Sequence, residues 1–285
     1  GDTITFLADI TEDVTVSKSV TIDGAGKNYT GNILVTKNNA VVTIKNVNFV
    51  NGTGYAITTN TVKSITVENC TVSNYGFGFL YANKSTPTVV VKNVTVDGGN
   101  YGFHWVYGSN ATLENVTMTN VAYGLYIQNY ASKTITLKGC NITSIAIWER
   151  SGSAGVQTFK FVGENTVGTL SGSQYAKYVL TAVDATLVAP EGANVTTNVA
   201  GYYVDYVDGA YVVAEAIAQV GNKYYGSIQA AINAATDGET VTLLKDITLD
   251  GSVTLTESTF GYDTYILVEG KSITLDFNGK TVSVT

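Results

Sequence analysis

The chain has 285 residues, of which 45% are hydrophobic and only 14% charged, and its formal net charge is −7. That charge and the single arginine, Arg150, exclude a nucleic-acid binder, which needs a basic stripe to displace counterions. One His and two Cys cannot build a Cys/His zinc site of the usual four-ligand kind, and no run of 18 apolar residues is present to span a membrane.

The chain opens on Gly1-Asp-Thr-Ile-Thr-Phe-Leu-Ala-Asp-Ile-Thr11, a strand-like alternation that returns near the other end. From residue 42 one pattern recurs. Its copies are Val42-Thr-Ile-Lys-Asn-Val-Asn-Phe49, Ile65-Thr-Val-Glu-Asn-Cys-Thr-Val72, Val89-Val-Val-Lys-Asn-Val-Thr-Val96, Ala111-Thr-Leu-Glu-Asn-Val-Thr-Met118 and Ile135-Thr-Leu-Lys-Gly-Cys-Asn-Ile142. The central residues Asn46, Asn69, Asn93, Asn115 and Gly139 are spaced by 23, 24, 22 and 24 positions, and Gly163 marks a weaker sixth copy. Alternation of apolar and polar residues predicts strands. Asn and Gly tolerate a left-handed backbone, so each copy reads as strand, one-residue bend, strand.

A further strand block follows each copy: Gly54-Tyr-Ala-Ile57, Tyr75-Gly-Phe-Gly-Phe79, Tyr101-Gly-Phe-His-Trp105, Tyr123-Gly-Leu-Tyr-Ile127 and Ile145-Ala-Ile147. Three short strands per ~23 residues without intervening helices exclude a TIM barrel or a Rossmann sheet. Stacking equivalent strands in parallel, ~4.8 Å apart, gives a parallel β-helix. The coil motif with its stacked Asn resembles the right-handed parallel β-helix of the pectate-lyase-like superfamily, over roughly residues 14–190. The resemblance implies an all-β solenoid. It does not imply one activity, because the fold hosts lyases, hydrolases, adhesins and inert stalks.

Past the solenoid, Tyr202-Tyr-Val-Asp-Tyr-Val-Asp-Gly-Ala-Tyr-Val-Val213 predicts a hairpin around Asp208-Gly209, and 217–225 another around Gly221-Asn222. One helix is predicted over 227–238, with Ser227 as N-cap and Gly238 as the C-terminal stop. It would cap the solenoid start that follows. Gly238-Glu-Thr-Val-Thr-Leu-Leu-Lys-Asp-Ile-Thr248 repeats the opening of the chain without a gap, and Lys271-Ser-Ile-Thr-Leu-Asp-Phe-Asn-Gly-Lys280 repeats Lys18–Lys27. The offset grows from 237 to 253, an insertion of 16 residues. The first copy begins where that helix should already have ended, which implies a piece of a longer repetitive protein. The run from Gln219 to Thr248 resembles the junction between successive β-helix modules in large surface proteins of gut-type bacteria. The expected organisation is therefore a β-helix over 1–199, a hairpin linker over 200–226, and a capping helix with the first coils of a second repeat over 227–285.

Alternation in the further strand block points Phe77, Phe79, Phe103, Trp105, Leu125, Ile127, Ile145 and Ile147 inward. Gly78, Leu80, His104, Val106, Tyr126, Gln128, Ala146 and Trp148 then point outward, and Tyr81, Tyr107 and Tyr130 lie where these strands enter loops. The candidate glycan-binding residues are Tyr81, His104, Tyr107, Tyr126 and Trp148, with the neighbouring pair Glu149 and Arg150. Exposed aromatic rings stack on the apolar faces of sugars, whereas a covering loop or module would make the same band structural. No catalytic residue is assigned. Lys45, Glu68, Lys92, Glu114 and Lys138 alternate in sign along one ladder, which reads as cross-strand pairing on a solvated face. Cys70 and Cys140 share an inward register three coils apart, ~14 Å, too far for a disulfide.

These features predict a non-enzymatic, extracellular, surface-displayed module for adhesion or spacing, with host or microbial glycan contact along the aromatic band. The alternatives are a polysaccharide-active lyase or hydrolase, or a degenerate descendant of one, and a ligand-free stalk. No cofactor, metal, nucleic-acid partner or membrane insertion is expected. Open solenoid ends allow head-to-tail self-association.

Overall fold

The computed structural model describes residues 1–84, 88–105, 109–148, 155–250, 256–257, 261 and 263–285. Val106, Tyr107, Glu149 and Arg150 lie outside them. The chain divides into two compact units. The larger comprises 1–196 with 206–211, and the smaller 197–205 with 212–285.

The larger unit is a parallel β-solenoid with three faces. The first face stacks Asp2–Thr5, Val20–Asp23, Val41–Lys45, the leading halves of Ser64–Ser73, Thr88–Asp97 and Asn110–Thr119, then Lys133–Lys138, Gln157–Val162 and Ala176–Leu180. The second face runs from Ile10–Thr11 through Asn28–Thr30 and Asn48–Val50 to the trailing halves of those long strands and Thr186–Val188. The third stacks Val14–Val16, Ile33–Val35, Tyr55–Thr59, Gly78–Ala82, Tyr101–Trp105, Tyr123–Gln128 and the later part of Asn141–Trp148.

The bend between the first two faces sits at the predicted residues. Asn46, Asn69, Asn93 and Asn115 have φ of 55°, 54°, 53° and 52°, and Gly139 and Gly163 have 61° and 62°. The side chains also bond along the stack. Asn46 Nδ2 donates to Asp23 Oδ1, Asn93 Nδ2 to Asn69 Oδ1 and Asn115 Nδ2 to Asn93 Oδ1, each at 3.0 Å. A second column lies five residues on. Asn51, Asn74, Gly98 and Asn120 have φ of 55°, 56°, 81° and 54°. Asn74 Nδ2 donates to Asn51 Oδ1 at 3.2 Å and Asn120 Nδ2 to Asp97 Oδ1 at 2.7 Å. The residue spacing contains this second column as plainly as the first, but the alternation that frames a bend is weaker there.

Apolar residues between the bends fill the bore. Tyr29, Phe49, Phe79, Phe103 and Trp105 are fully buried, and successive rings meet at 5.4–6.5 Å. Leu125, Ile127, Ile145 and Ile147 are buried as expected, and Cys70 and Cys140 are buried free thiols. Burial pushes the Cys70 thiol up to about 11, so it behaves as a small apolar residue. Phe77 does not belong to this core, being 54% exposed. In its coil Tyr75 turns inward instead. The Tyr75 hydroxyl donates to the Gly31 carbonyl at 2.8 Å and accepts from the Gly31 amide at 3.2 Å. The chain rejoins the ladder only at Gly78, which pairs with Tyr101. Its φ is +145°, and a Cβ there would run into the Tyr101 carbonyl. The whole block is thereby shifted by three residues against the expected alignment.

On the first face the charge column forms in register, with Glu68 beside Lys45 and Lys92, and Glu114 beside Lys92 and Lys138. Glu114 reaches both lysines, at 3.5 and 3.1 Å. Lys45 pairs instead with Asp23 at 3.4 Å.

In the smaller unit the helix covers Ile228–Ala234. The Ser227 hydroxyl oxygen accepts from the Ala230 amide at 3.0 Å, as an N-cap should. The expected stop at Gly238 is corrected. The helix ends three residues earlier, at an extended Ala235, because Lys271 Nζ bonds the Ile232, Asn233 and Ala235 carbonyls at 3.0, 3.0 and 2.8 Å. A cation at a helix C-terminus satisfies orphan carbonyls without glycine. Gly238, at φ 81°, serves the following turn. The expected hairpin pairs Ala218–Val220 with Lys223–Tyr225.

The two solenoid starts pair alike. Thr3 lies beside Thr21 and Ile4 beside Ile22 in one, Thr240 beside Thr274 and Val241 beside Leu275 in the other. Ile10 opposite Tyr29 corresponds to Ile247 opposite Val282. The bond from the Asn28 amide to Asp9 Oδ1, 2.9 Å, recurs from Thr281 to Asp246 at 2.8 Å. Ala25 and Asn278 share a φ of 50°.

The Asn column yields a test. Asn93→Ala places a Cβ-bearing residue without a local side-chain bond in the left-handed region, costing about 1–2 kcal/mol, and removes ladder bonds worth about 1 kcal/mol each. Urea denaturation should show a loss of ~2 kcal/mol or more. Asn93→Gly keeps the backbone and should lose about half as much.

Candidate functional site

The third face carries two outward columns. In the first, Tyr55, Gly78, Tyr101 and Tyr123 stack. In the second stand Thr58, Tyr81, His104, Tyr126 and Ala146. The columns lie three residues apart along each strand, because two consecutive residues between them are buried: Ala56-Ile57, Phe79-Leu80, Gly102-Phe103 and Gly124-Leu125. A strict alternation would separate outward positions by two. The expected outward set is corrected accordingly. Leu80 turns inward beside Phe103, whereas Gly78 and Ala146 keep the outward register although both are buried, Ala146 at 7% exposure, and Gln128 is buried at 8%.

The rings form one connected strip. Tyr55 stacks on Tyr81 at 4.8 Å and on Phe77 at 5.8 Å, with interplanar angles of 19° and 20°. Tyr101 stacks on His104 at 4.8 Å and on Tyr123 at 5.4 Å. Tyr126 closes edge-on against His104 at 5.1 Å and Tyr123 at 5.5 Å. Of the sequence-derived candidates, Tyr81, His104 and Tyr126 thus come together. Trp148 is 53% exposed beside Gln128 and makes no ring contact among the described residues. Tyr55, Phe77, Tyr101 and Tyr123 belong to the strip and were not singled out by alternation. The signal for Tyr101 and Tyr123 was the glycine after each, which marks a local break in strand period.

Stacking decides what the strip offers. Inner rings turn their faces toward one another, and the Tyr55 and Tyr81 hydroxyls are already engaged by His104 and Asn83. Open ring surface remains at Phe77, at Tyr123, which is 43% exposed, and at the separate Trp148. Burial raises Tyr55, Tyr81 and Tyr126 above the ordinary phenol range, so these three phenols stay protonated near neutral pH. The Tyr81 hydroxyl donates to Asn83 Oδ1 at 2.9 Å.

His104 is the one imidazole in the strip. Its Nδ1 lies 2.8 Å from the Tyr55 hydroxyl, and its buried Nε2 has no partner among the described residues. Protonation would give both nitrogens hydrogens and leave one buried N–H orphaned. Burial accordingly lowers its pKa below 6.5.

The carboxylates engage elsewhere. Asp23 bonds Asn46 and the Ala25 amide, Asp97 bonds Thr119 and Asn120, and Glu114 bonds Lys138. Each is thereby held below the usual carboxylate range. Among the described residues no three His, Cys, Asp or Glu side chains gather to hold a metal ion. No described helix is long and apolar enough to cross a membrane.

The lowered His104 pKa fixes a pH effect. In the unfolded chain His104 takes up a proton near 6.5, before the folded ring does, so stability falls as pH drops below that value. Thermal melts between pH 7.5 and 5 should show this loss, and His104→Gln should reduce the slope. The lowered carboxylates of Asp23, Asp97 and Glu114 contribute fully above pH 5 and lose stability only below it, so they leave that window clear.

A family model described as the right handed beta helix region matches residues 11–169, the span that contains the bends from Asn46 to Gly163 and the whole aromatic strip. Searches of curated proteins and of solved structures returned no match. With parallel pairing along all three faces and a family match over more than half its length, this chain belongs to the right-handed β-helix family.

Proposed function

We propose that this chain is an extracellular, surface-displayed module for adhesion or spacing, and that it contacts uncharged glycans through the aromatic strip of its third face. The β-helix fold itself serves both surface proteins and polysaccharide-active enzymes, so the reading rests on the strip. Seven rings, including His104, lie connected on an outer face. A contiguous exposed apolar patch of this kind marks an interaction surface. Its ends offer open ring faces to the C–H face of a pyranose.

The placement of the acids supports binding over bond cleavage. Glycoside hydrolysis needs two carboxyl groups about 5–9.5 Å apart across one bond. Asp23, Asp97 and Glu114 instead serve ladder contacts outside the strip. Low charge and an outer surface rich in Thr, Asn and Tyr suit contact with neutral sugars. The stacking of the inner rings favours a second reading, a ligand-free stalk, because those rings already cover one another.

A glycan array followed by calorimetry on the wild type, Tyr123→Ala and Trp148→Ala separates the readings. A neutral oligosaccharide should bind, and losing one open ring face should weaken it about tenfold, the equivalent of ~1.4 kcal/mol, with the unfolding temperature unchanged. If the wild type binds nothing, or all three bind equally, the stalk reading replaces the glycan one. Release of new reducing ends from a bound polysaccharide would instead favour the enzyme.

A further inference from the structure

The asparagine column at the first bend stops before the coils do. Asn93 Nδ2 donates to Asn69 Oδ1 and Asn115 Nδ2 to Asn93 Oδ1, each at 3.0 Å. Each amide thus gives an N–H to the coil before and offers its oxygen to the coil after. The next bends are Gly139 and Gly163, at φ 61° and 62°, which have no side chain to continue the series. Asn115 Oδ1 lies 2.9 Å from the place that a Cβ of residue 139 would take, and nothing lies within 4 Å of that place at residue 163. The column therefore ends on an acceptor facing vacated side-chain positions. The strands on either side pair onward to Ala176–Leu180 and Thr186–Val188, so the vacancy is on the flank of the solenoid.

The backbone at these bends is held from within. Asn165, 2% exposed, accepts from the Cys140 amide through Oδ1 at 3.0 Å, and its Nδ2 donates to the Val162 and Gly163 carbonyls at 3.0 and 3.1 Å. This inner clamp replaces the outer ladder and leaves the outer positions preformed and empty of side chain.

The vacancy opens into a hollow of about 630 Å³ whose lining includes Asn115, Lys138, Val162, Glu164, Thr166 and Asp184. Val162 stands beside Lys138, at the position where the alternating charge column would place an acid. An apolar side chain therefore borders the same hollow as the amide acceptor. The Glu164 and Asp184 side chains are exposed at its rim.

We propose that this hollow binds the acetamido group of an N-acetylated amino sugar, at a site separate from the aromatic strip and independent of the reading given for it. The acetamido N–H donates to Asn115 Oδ1, as a side-chain amide at residue 139 would. The methyl group rests on Val162, the carbonyl accepts from the Thr166 hydroxyl, and ring hydroxyls donate to Glu164 and Asp184. A preformed hollow with a few convergent polar groups is the usual form of a small-ligand site. The methyl contact distinguishes an acetamido group from a bare carboxamide, and the amide pairing distinguishes it from a sugar hydroxyl.

The test is an NMR titration of the whole chain with N,N′-diacetylchitobiose and, separately, with cellobiose. Diacetylchitobiose should move the Gly139 and Gly163 amide resonances and bind about tenfold tighter than cellobiose or more. Gly139→Asn puts an amide in the vacated position. Asn takes the same backbone at Asn46, Asn69, Asn93 and Asn115, so this variant should keep its unfolding temperature and lose about tenfold or more in affinity for diacetylchitobiose. Gly163→Asn, with open space around it, should do the same and carries the test if the first variant fails to fold. Equal affinity for the two sugars, or wild-type affinity in a folded variant, overturns the proposal. So do resonances of Gly139 and Gly163 that stay still while those of Tyr101 and Tyr123 move, an outcome that leaves the strip as the glycan site. A neutral asparagine-containing peptide that competes as well as diacetylchitobiose also overturns it, since a protein segment would then be the occupant.

Discussion

Every coil of this solenoid must place each side chain about 4.8 Å above its counterpart in the coil before. The rest of the structure follows from that constraint. A side chain survives in such a column only if it tolerates its own kind as a neighbour. Apolar residues do, and they fill the bore. Asparagine does, since its amide donates upward and accepts from below, as in Asn69, Asn93 and Asn115. Stacked phenols do, as on the third face. Like charges do not, and the one long charged column alternates Lys45, Glu68, Lys92, Glu114 and Lys138. A chain with only 14% charged residues is what stacking selects.

The same constraint explains what could be read from the sequence. A column repeats a residue type at the coil period, so the Asn bends, the alternating charges, the buried cysteines and the duplicated starts were legible from spacing. Departures from two-residue alternation within one strand were not. The third face buries two consecutive residues, which moved Leu80 inward and brought Tyr101 and Tyr123 into the strip. One inserted aromatic, Tyr75, displaced its block by three residues and turned Phe77 outward. These events depend on where a ring finds room and a hydroxyl finds a carbonyl, as Tyr75 does at Gly31. The helix end was missed for a similar reason. Its cap is Lys271, more than 30 residues away in sequence.

The aromatic strip has two sides physically. Ring-on-ring contact stabilises the third face, and it uses the faces a sugar would need. The proposed glycan contact is therefore confined to the places where the columns end. His104 ties the strip together at the cost of a buried nitrogen without a partner among the described residues, which makes its neutral form part of the fold.

The duplicated start shows how length is tolerated. Between the segments matching Gly1–Thr11 and Lys18–Lys27 the second copy holds 16 additional residues, yet the strands on either side meet in the same register. Closing so much longer a loop costs only about 1 kcal/mol, because the entropy of closure grows with the logarithm of length. Phase in this architecture is therefore kept by the matched columns and not by counting residues. The corners of a coil behave as punctuation that can be lengthened without altering the text.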